Sequence, residues 1–201
     1  MCADAFGKSI LIALAVIASA LLVSNLFGPG AIQTSAEPLQ GPMAEEPLSE
    51  EPFGGADDVR FAESLGLAIV DREEWPMQSA VSEGGSPHGA FVKLYYNTVR
   101  IAGENYHVIV KDNYGGEDAT LEAVASDPDG FFGAATVMVQ RGEGYDPQDG
   151  NWFYVKYLPD GSIDLNAMGV PLAGRVGKGA DSGCLPCHRA AEGEDYLFTN
   201  D

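Results

Sequence analysis

The sequence predicts an α+β fold, mainly an antiparallel β-sheet with a few short helices and a C-terminal segment outside the sheet. Segments rich in Val, Ile, Tyr, Phe and Trp recur along the chain from Phe91 onward. Clusters of Gly, Pro, Asp and Asn bound these segments, as is typical of strands joined by turns. One short helix-like segment precedes them, and a C-x-x-C-H motif follows them near the C-terminus.

The first 27 residues are predicted to be a signal peptide or an N-terminal membrane anchor. Lys8 precedes an apolar run from Ile10 to Val23, which is the layout of an export signal. Extended to Phe27, the run is nearly long enough to span a bilayer, so cleavage and anchoring both stay open. In either case we expect a periplasmic protein, soluble after cleavage or anchored by this segment.

A linker and one domain are predicted after the export segment. Residues 28–57 are rich in Pro, Glu, Gly and Ala without an apolar period, which is typical of an acidic, Pro-rich linker. Residues 58–201 suit a single domain with one core. A short helix is expected over Asp58–Leu67, because acidic residues open it and apolar residues such as Leu65 follow.

Four strands are predicted within this domain, after turn chemistry at residues 86–89. A further turn at residues 159–161 is expected to fold the last strand back toward Ile163. The predicted strands are Phe91–Asn97, Tyr106–Asp112, Ala134–Arg141 and Trp152–Leu158.

The charge balance restricts the partners. The chain has 30 acidic and 11 basic side chains, for a formal net charge of −19. Nucleic acids and anionic lipids need neutralising Lys and Arg, so neither is expected to bind. The charge suits transient docking with a basic electron-acceptor protein, and it is equally explained by a solvated surface that confers solubility.

The motif Cys184-Leu185-Pro186-Cys187-His188 predicts one covalently attached haem c. Two thiols at this spacing reach the two vinyl groups of a haem, while the next residue points its imidazole at the iron. His188 is therefore the predicted proximal iron ligand, and Cys184 and Cys187 are the predicted attachment residues.

Two other uses of a C-x-x-C pair fit less well. A zinc site would need two further ligands, and only His88 and His107 remain as nitrogen donors, with no second cysteine pair. A thioredoxin-type motif belongs near the start of a βαβ unit, whereas this motif follows a β-rich region.

The position of the motif also bears on the sixth iron ligand. No Met follows His188, so a protein ligand would have to be Met77, Met138, Met168 or an upstream histidine. Each Met is more simply a core residue. We therefore expect five-coordinate iron with an open distal side, which favours small-molecule chemistry or gas binding over electron transfer.

The order of segments resembles the cytochrome P460 family, including the related cytochrome c-prime-beta proteins. The resemblance covers most of the chain from Trp75 to Asp201. The matching pieces are Ser86–Gly89, Val92–Asn97, Val108–Lys111, Thr136–Val139, Gly144–Pro147, Gly150–Tyr154, Cys184–His188 and Asp195–Phe198.

This resemblance implies a small β-sheet domain that commonly forms homodimers and holds five-coordinate haem c. In the P460 members, a lysine is bonded to the porphyrin edge and hydroxylamine is oxidised, with electrons passed to an external acceptor. In the c-prime-beta members, that bond is absent and the haem binds nitric oxide or carbon monoxide. Lys111 matches the cross-linking position. The expected activity is hydroxylamine oxidation; gas binding and electron transfer are the alternatives.

The strand pattern is consistent with a role for Lys111. Because side chains alternate along a strand, His107, Ile109 and Lys111 share one side. Burial beside porphyrin would lower the pKa of the lysine and favour its nucleophilic form. The alternative is a lysine that faces solvent at the end of the strand, where its neighbour Asp112 keeps it charged.

The distal pocket is predicted from apolar residues and one histidine. Hydroxylamine oxidation also needs a proton acceptor, a role that a carboxylate can fill. Three acids, Glu122, Asp127 and Asp129, precede the Phe131-Phe132 pair but are more simply loop and turn residues. The candidate pocket residues are Phe131, Phe132, Met138 and His107.

Overall fold

The structure is a computed structural model that describes residues 52–191 and 196–198. The signal peptide or anchor predicted for residues 1–27, and most of the linker predicted for residues 28–57, lie outside the described residues. Within the part of the chain that is described, no helix has the length and apolar character needed to cross a bilayer.

A seven-stranded antiparallel sheet forms the body of the domain, which confirms the predicted α+β class. The strands pair in the order β1-β3-β4-β5-β6-β7, and β2 also pairs with β3. The strands are β1 (Met77–Gln78), β2 (Ser82–Glu83), β3 (Phe91–Ile101), β4 (Glu104–Tyr114), β5 (Phe132–Gln140), β6 (Trp152–Tyr157) and β7 (Ala173–Gly174).

The hairpin of β3 and β4 is longer than the sequence predicts. The two strands pair from Phe91 opposite Tyr114 to Ile101 opposite Glu104. Between them, Ala102 and Gly103 have φ values of 51° and 92°, as in a tight hairpin turn. Apolar alternation fades over residues 97–105, where the hairpin is mostly exposed, so the sequence pattern underestimates its length.

The remaining predicted strands are close to those observed. The expected Ala134–Arg141 strand is Phe132–Gln140, and the expected Trp152–Leu158 strand is Trp152–Tyr157. The turn at residues 159–161 does reverse the chain, because Tyr157 forms an antiparallel bridge with Ile163.

In the described residues, four α-helices accompany the sheet, together with two single-turn 3₁₀ helices at Arg72–Glu74 and Pro147–Asp149. Helix α1 (Ala56–Ala68) begins earlier than expected, and Phe53 bridges to Gly174 while the Gly54 amide donates to the Ala173 carbonyl at 2.6 Å. Residues 53–57 therefore belong to the domain, not to the linker. The others are α2 (Leu121–Ser126), α3 (Pro128–Phe131) and α4 (Cys184–His188).

The core lies between α1 and one face of the sheet. Strand residues such as Tyr95, Val110, Val137 and Phe153 point to this face and are at most 1% exposed, as is Leu65 of α1. Burying large apolar side chains is the main source of stability in a domain of this size. The alternate residues of the same strands point to the opposite face, where the candidate site lies.

Candidate haem-binding site

A cavity of about 510 Å³ lies on the sheet face opposite the core. That volume is within the range of cofactor pockets, roughly 300–1,000 Å³. Strands β3 to β6 contribute Leu94, Ile109, Lys111, Met138 and Tyr154, and α4 contributes all three chemically active residues of the C-x-x-C-H motif. The motif and the predicted lysine therefore share one cavity, although more than 70 residues separate them along the chain.

Two glycines set the entry into α4. Gly177 and Gly183 have φ values of 85° and 125°, which disfavour residues with a side chain. The two backbones are in close contact, since a Cβ atom placed on Gly183 would lie 2.8 Å from the Cα of Gly177. The Leu185 amide then donates to the Val176 carbonyl at 3.0 Å, and the Leu185 side chain is fully buried. These contacts position the motif against the cavity.

His188 is arranged as a metal ligand would be. Its Nδ1 lies 2.7 Å from the carbonyl oxygen of Tyr196, which can only accept, so Nδ1 carries the proton. The lone pair is therefore on Nε2, as in metal sites whose histidines are oriented by a second hydrogen bond. Burial lowers the pKa of His188, which keeps the ring neutral and able to ligate. Its ring centre is 5.5 Å from that of Tyr154.

The two thiols of the motif are free and line the same cavity. Cys184 is half-buried, and burial raises the pKa of its thiol to about 11. Cys187 is exposed at the rim. Together with the orientation of His188 and a largely apolar cavity, they fit covalent haem c.

Lys111 projects into the cavity from β4, between Leu94 on β3 and Thr136 on β5. Its side chain is half-buried, and burial lowers the pKa of the amine. The next residue, Asp112, points to the opposite face, where it is 1% exposed and accepts three hydrogen bonds from Arg72 at 2.9 to 3.1 Å. Asp112 therefore does not pair with Lys111, and the alternative of a solvent-facing lysine paired with Asp112 is wrong.

Met138 lines the cavity, whereas Phe131, Phe132 and His107 are not among the residues that line it. The pairing of β4 with β5 is irregular next to Tyr114, where Asn113 faces Ala134 and Tyr114 faces Phe132. This bulge turns Phe132 toward the core, where its ring centre is 6.1 Å from that of Tyr114. Phe131 is the last residue of α3 and does not line the cavity.

His107 shares the side of Lys111 by alternation, but it lies far along the hairpin from the cavity. It is exposed, and its Nδ1 is 3.2 Å from Thr98 Oγ1. The acids considered as proton acceptors are also remote: Glu122, Asp127 and Asp129 are exposed on α2, α3 and the residue between them. Among the described residues that line the cavity, none is Asp or Glu.

His88 is the main residue of the site that sequence reasoning did not place there. It lines the cavity and is half-buried, and burial, aided by the charges of Lys111 and His188, lowers its pKa to about 4. Asn113 also lines the cavity, and alternation from Lys111 could have found it. His88 lies in the loop between β2 and β3, and a loop has no periodic pattern from which the direction of its side chain could be predicted.

An ion-paired cluster holds α4 from the outside. Asp149, 1% exposed in the loop before β6, accepts from Arg189 Nε at 2.8 Å, and Lys178 pairs with Asp146 in the same loop. Residues 146–150 therefore act as an anchor for the attachment segment.

Comparison with known proteins agrees with this geometry. A family model described as Cytochrome P460 matches residues 74–199, which include every strand of the sheet and all of α4. Searches of curated proteins and of solved structures found no significant match.

Proposed function

Because the chain belongs to the cytochrome P460 family, we propose that it is an exported mono-haem c enzyme that oxidises hydroxylamine. The observation that carries the proposal is the presence of Lys111 in one cavity with Cys184, Cys187 and His188. The electrons would leave to an external acceptor.

Haem c at this site would be held by thioether bonds to Cys184 and Cys187 and by the Nε2 atom of His188. When bound, it supplies an iron that can take a substrate nitrogen and accept electrons. The Tyr196 carbonyl holds the His188 proton on Nδ1, so the ligating atom needs no proton loss. The apolar walls from β3 to β6 keep water away from the reacting atoms.

Lys111 is the residue proposed to bond to the porphyrin edge. Burial lowers the pKa of its amine, which raises the fraction of the neutral, nucleophilic form. The bond would join Nζ to a porphyrin carbon in place of a hydrogen, with loss of two protons and two electrons to an external two-electron oxidant. Such a bond would alter the electronic structure of the macrocycle.

A tryptic digest of the holoprotein tests the bond directly. Alkylation of Lys111 blocks cleavage there, so mass spectrometry is expected to show residues 101–141 joined through haem to residues 179–189. Separate haem-carrying 179–189 and free 101–111 peptides would contradict the cross-link.

A Lys111→Met variant is expected to lose the cross-linked species and to oxidise hydroxylamine at least tenfold more slowly, which corresponds to about 1.4 kcal/mol in activation free energy. The matched control is Lys156→Met, because Lys156 also lines the cavity but pairs with Asp164 at 2.8 Å. It is expected to retain the cross-link. Equal turnover by the wild type and the Lys111 variant, measured with an artificial oxidant, would count against a role for the lysine.

A gas-binding protein for nitric oxide or carbon monoxide is the second candidate. It is favoured by the lack of Asp and Glu among the described residues that line the cavity, since oxidation of hydroxylamine needs a proton acceptor. Absence of hydroxylamine turnover in the wild type, together with tight nitric oxide binding, would support this function instead.

Export to the periplasm and transfer of electrons to a basic acceptor protein complete the proposal. The net charge of −19 supports the acceptor, because opposite charge speeds association of transient partners. A fall in the rate of electron transfer to a basic cytochrome as salt is raised would support this docking.

A further inference from the structure

A short segment near the end of the chain holds the proximal histidine. It consists of residues 196–198, and we call it the proximal strap. The carbonyl oxygen of Tyr196 lies 2.7 Å from Nδ1 of His188. The centre of the Phe198 ring is 5.7 Å from that of His188, in an edge-to-face arrangement. The strap therefore contacts His188 twice, once through its backbone and once through a side chain.

The backbone of the strap is unusual at Tyr196. Its φ is 62°, in the left-handed region that residues with a side chain seldom adopt. Such a conformation persists only where the surrounding structure imposes it, and these conformations are concentrated at functional sites. Because the position of a carbonyl relative to the preceding chain depends on φ, the left-handed value helps to set where the Tyr196 oxygen lies.

Contacts with distant segments hold the strap in this conformation. The Tyr196 ring lies against the loop before β6, since a Cβ atom placed on Gly150 would be 3.2 Å from Cε2 of Tyr196. Leu197 is half-buried and packs against the apolar cluster that includes Trp152 and Leu185. The strap is therefore anchored by its side chains while its backbone faces His188.

The loop that receives Tyr196 also holds the helix that carries His188. Asp149 accepts a hydrogen bond from Nε of Arg189 at 2.8 Å, and Arg189 directly follows His188. Gly150, the next residue of the loop, contacts the Tyr196 ring. Neighbouring residues of one loop thus fix the imidazole and the acceptor of its proton relative to each other.

A short hydrogen bond at Nδ1 changes the properties of the ligating atom. The distance of 2.7 Å is at the short end of the range for N–H···O bonds. An acceptor on Nδ1–H raises the basicity of Nε2 and fixes the orientation of the ring. A more basic axial ligand gives more charge to the iron, which stabilises ferric iron relative to ferrous iron.

We propose that the proximal strap, through the left-handed conformation of Tyr196, is a positioning element that strengthens the bond between His188 and the haem iron and lowers the reduction potential of the haem. Tyr196 acts through His188 and contacts no reacting atom. This role depends on the haem attachment of the proposed function, but not on hydroxylamine oxidation. A stabilised ferric state suits an iron that binds a substrate before accepting its electrons.

Two matched variants separate the backbone conformation of Tyr196 from its side chain. Both remove the ring, but Tyr196→Pro fixes φ at about −65° whereas Tyr196→Gly adopts the left-handed conformation freely. Tyr196→Pro is expected to lower the iron–histidine stretching frequency in the resonance Raman spectrum of the ferrous holoprotein. It is also expected to shift the redox equilibrium at least tenfold toward ferrous iron, which is about 59 mV for a one-electron couple. Tyr196→Gly is expected to keep the frequency and to stay within twofold of the wild-type equilibrium.

Shortened chains give a second test that leaves Tyr196 unsubstituted. A chain that ends at Asp195 lacks the strap and is expected to behave as Tyr196→Pro does. The matched control ends at Phe198, keeps the whole strap and is expected to have the wild-type frequency and potential.

A wild-type frequency and potential in either Tyr196→Pro or the chain that ends at Asp195 would overturn the proposal. A Tyr196→Gly variant that shifts as far as Tyr196→Pro would also overturn it, because the ring and not the backbone would then direct the carbonyl. If one altered chain fails to fold, the other still decides. Protein without haem shows no iron–histidine band in any variant, which contradicts haem attachment instead. Absence of hydroxylamine turnover rejects the enzyme and leaves the comparison of spectra unaffected.

Discussion

A Cys184→Ser, Cys187→Ser variant is expected to retain no haem on the polypeptide after extraction with acidified organic solvent, whereas the wild type retains one per chain. Thioether bonds resist such extraction, but coordination by His188 does not survive unfolding. Both thiols line the cavity beside His188, and no other cysteine lies in the described residues. The measurement is haem absorbance in the protein fraction of a denaturing gel or column.

Cys2→Ser is the matched control, because Cys2 is the third cysteine of the chain. It is expected to retain covalent haem fully. Haem that stays with the double variant would mean that attachment does not depend on the C-x-x-C-H thiols. Circular dichroism of the variant separates loss of attachment from loss of the fold.

Asp112→Asn is expected to lower the free energy of unfolding by about 3 kcal/mol, measured by denaturant titration. Asp112 is 1% exposed and accepts three hydrogen bonds from Arg72, so the change leaves a mostly buried guanidinium without its counter-charge. The same substitution at the exposed Asp118 is expected to change stability by no more than about 0.5 kcal/mol.

The pair is expected to contribute specificity more than net stability. Burial raises the pKa of Asp112 even though Arg72 acts in the opposite direction, so the ion pair does not fully offset the cost of desolvation. An Arg72→Met, Asp112→Leu variant is therefore expected to recover most of the lost stability. A double variant as unstable as Asp112→Asn would contradict this.

The Asp112–Arg72 pair also bears on the site. Lys111 and Asp112 are neighbours on β4 and point to opposite faces, so a one-residue shift of the strand would exchange them. The pairing on the core face therefore favours the register that directs Lys111 into the cavity.

Much of the fold followed from local pattern. Strand-like segments with turn residues between them predicted the sheet, because side chains that alternate between a core and a second face leave a period of two in the sequence. The spacing of the C-x-x-C-H motif was enough to predict haem c, because the two thiols and the histidine that bind the haem lie within about one helical turn of each other. Lys111 was identified because the segment Val108–Lys111 resembles the family, and alternation along β4 agreed with its position. Both signals come from the sequence of that one strand.

The rest of the site depended on contacts between distant segments. Alternation along β4 suggested His107 for the pocket, and the apolar pair Phe131-Phe132 suggested Phe132. The length of the hairpin instead places His107 near its exposed end, and the bulge beside Tyr114 turns Phe132 toward the core. His88 sits in a loop, and only the Asn113 hydrogen bond and the close approach of Gly89 to β4 direct it into the cavity. A sequence pattern indicates which side chains of one strand share a face of the sheet. It does not indicate where the side chain of a loop residue such as His88 points, because that direction depends on contacts with a distant strand.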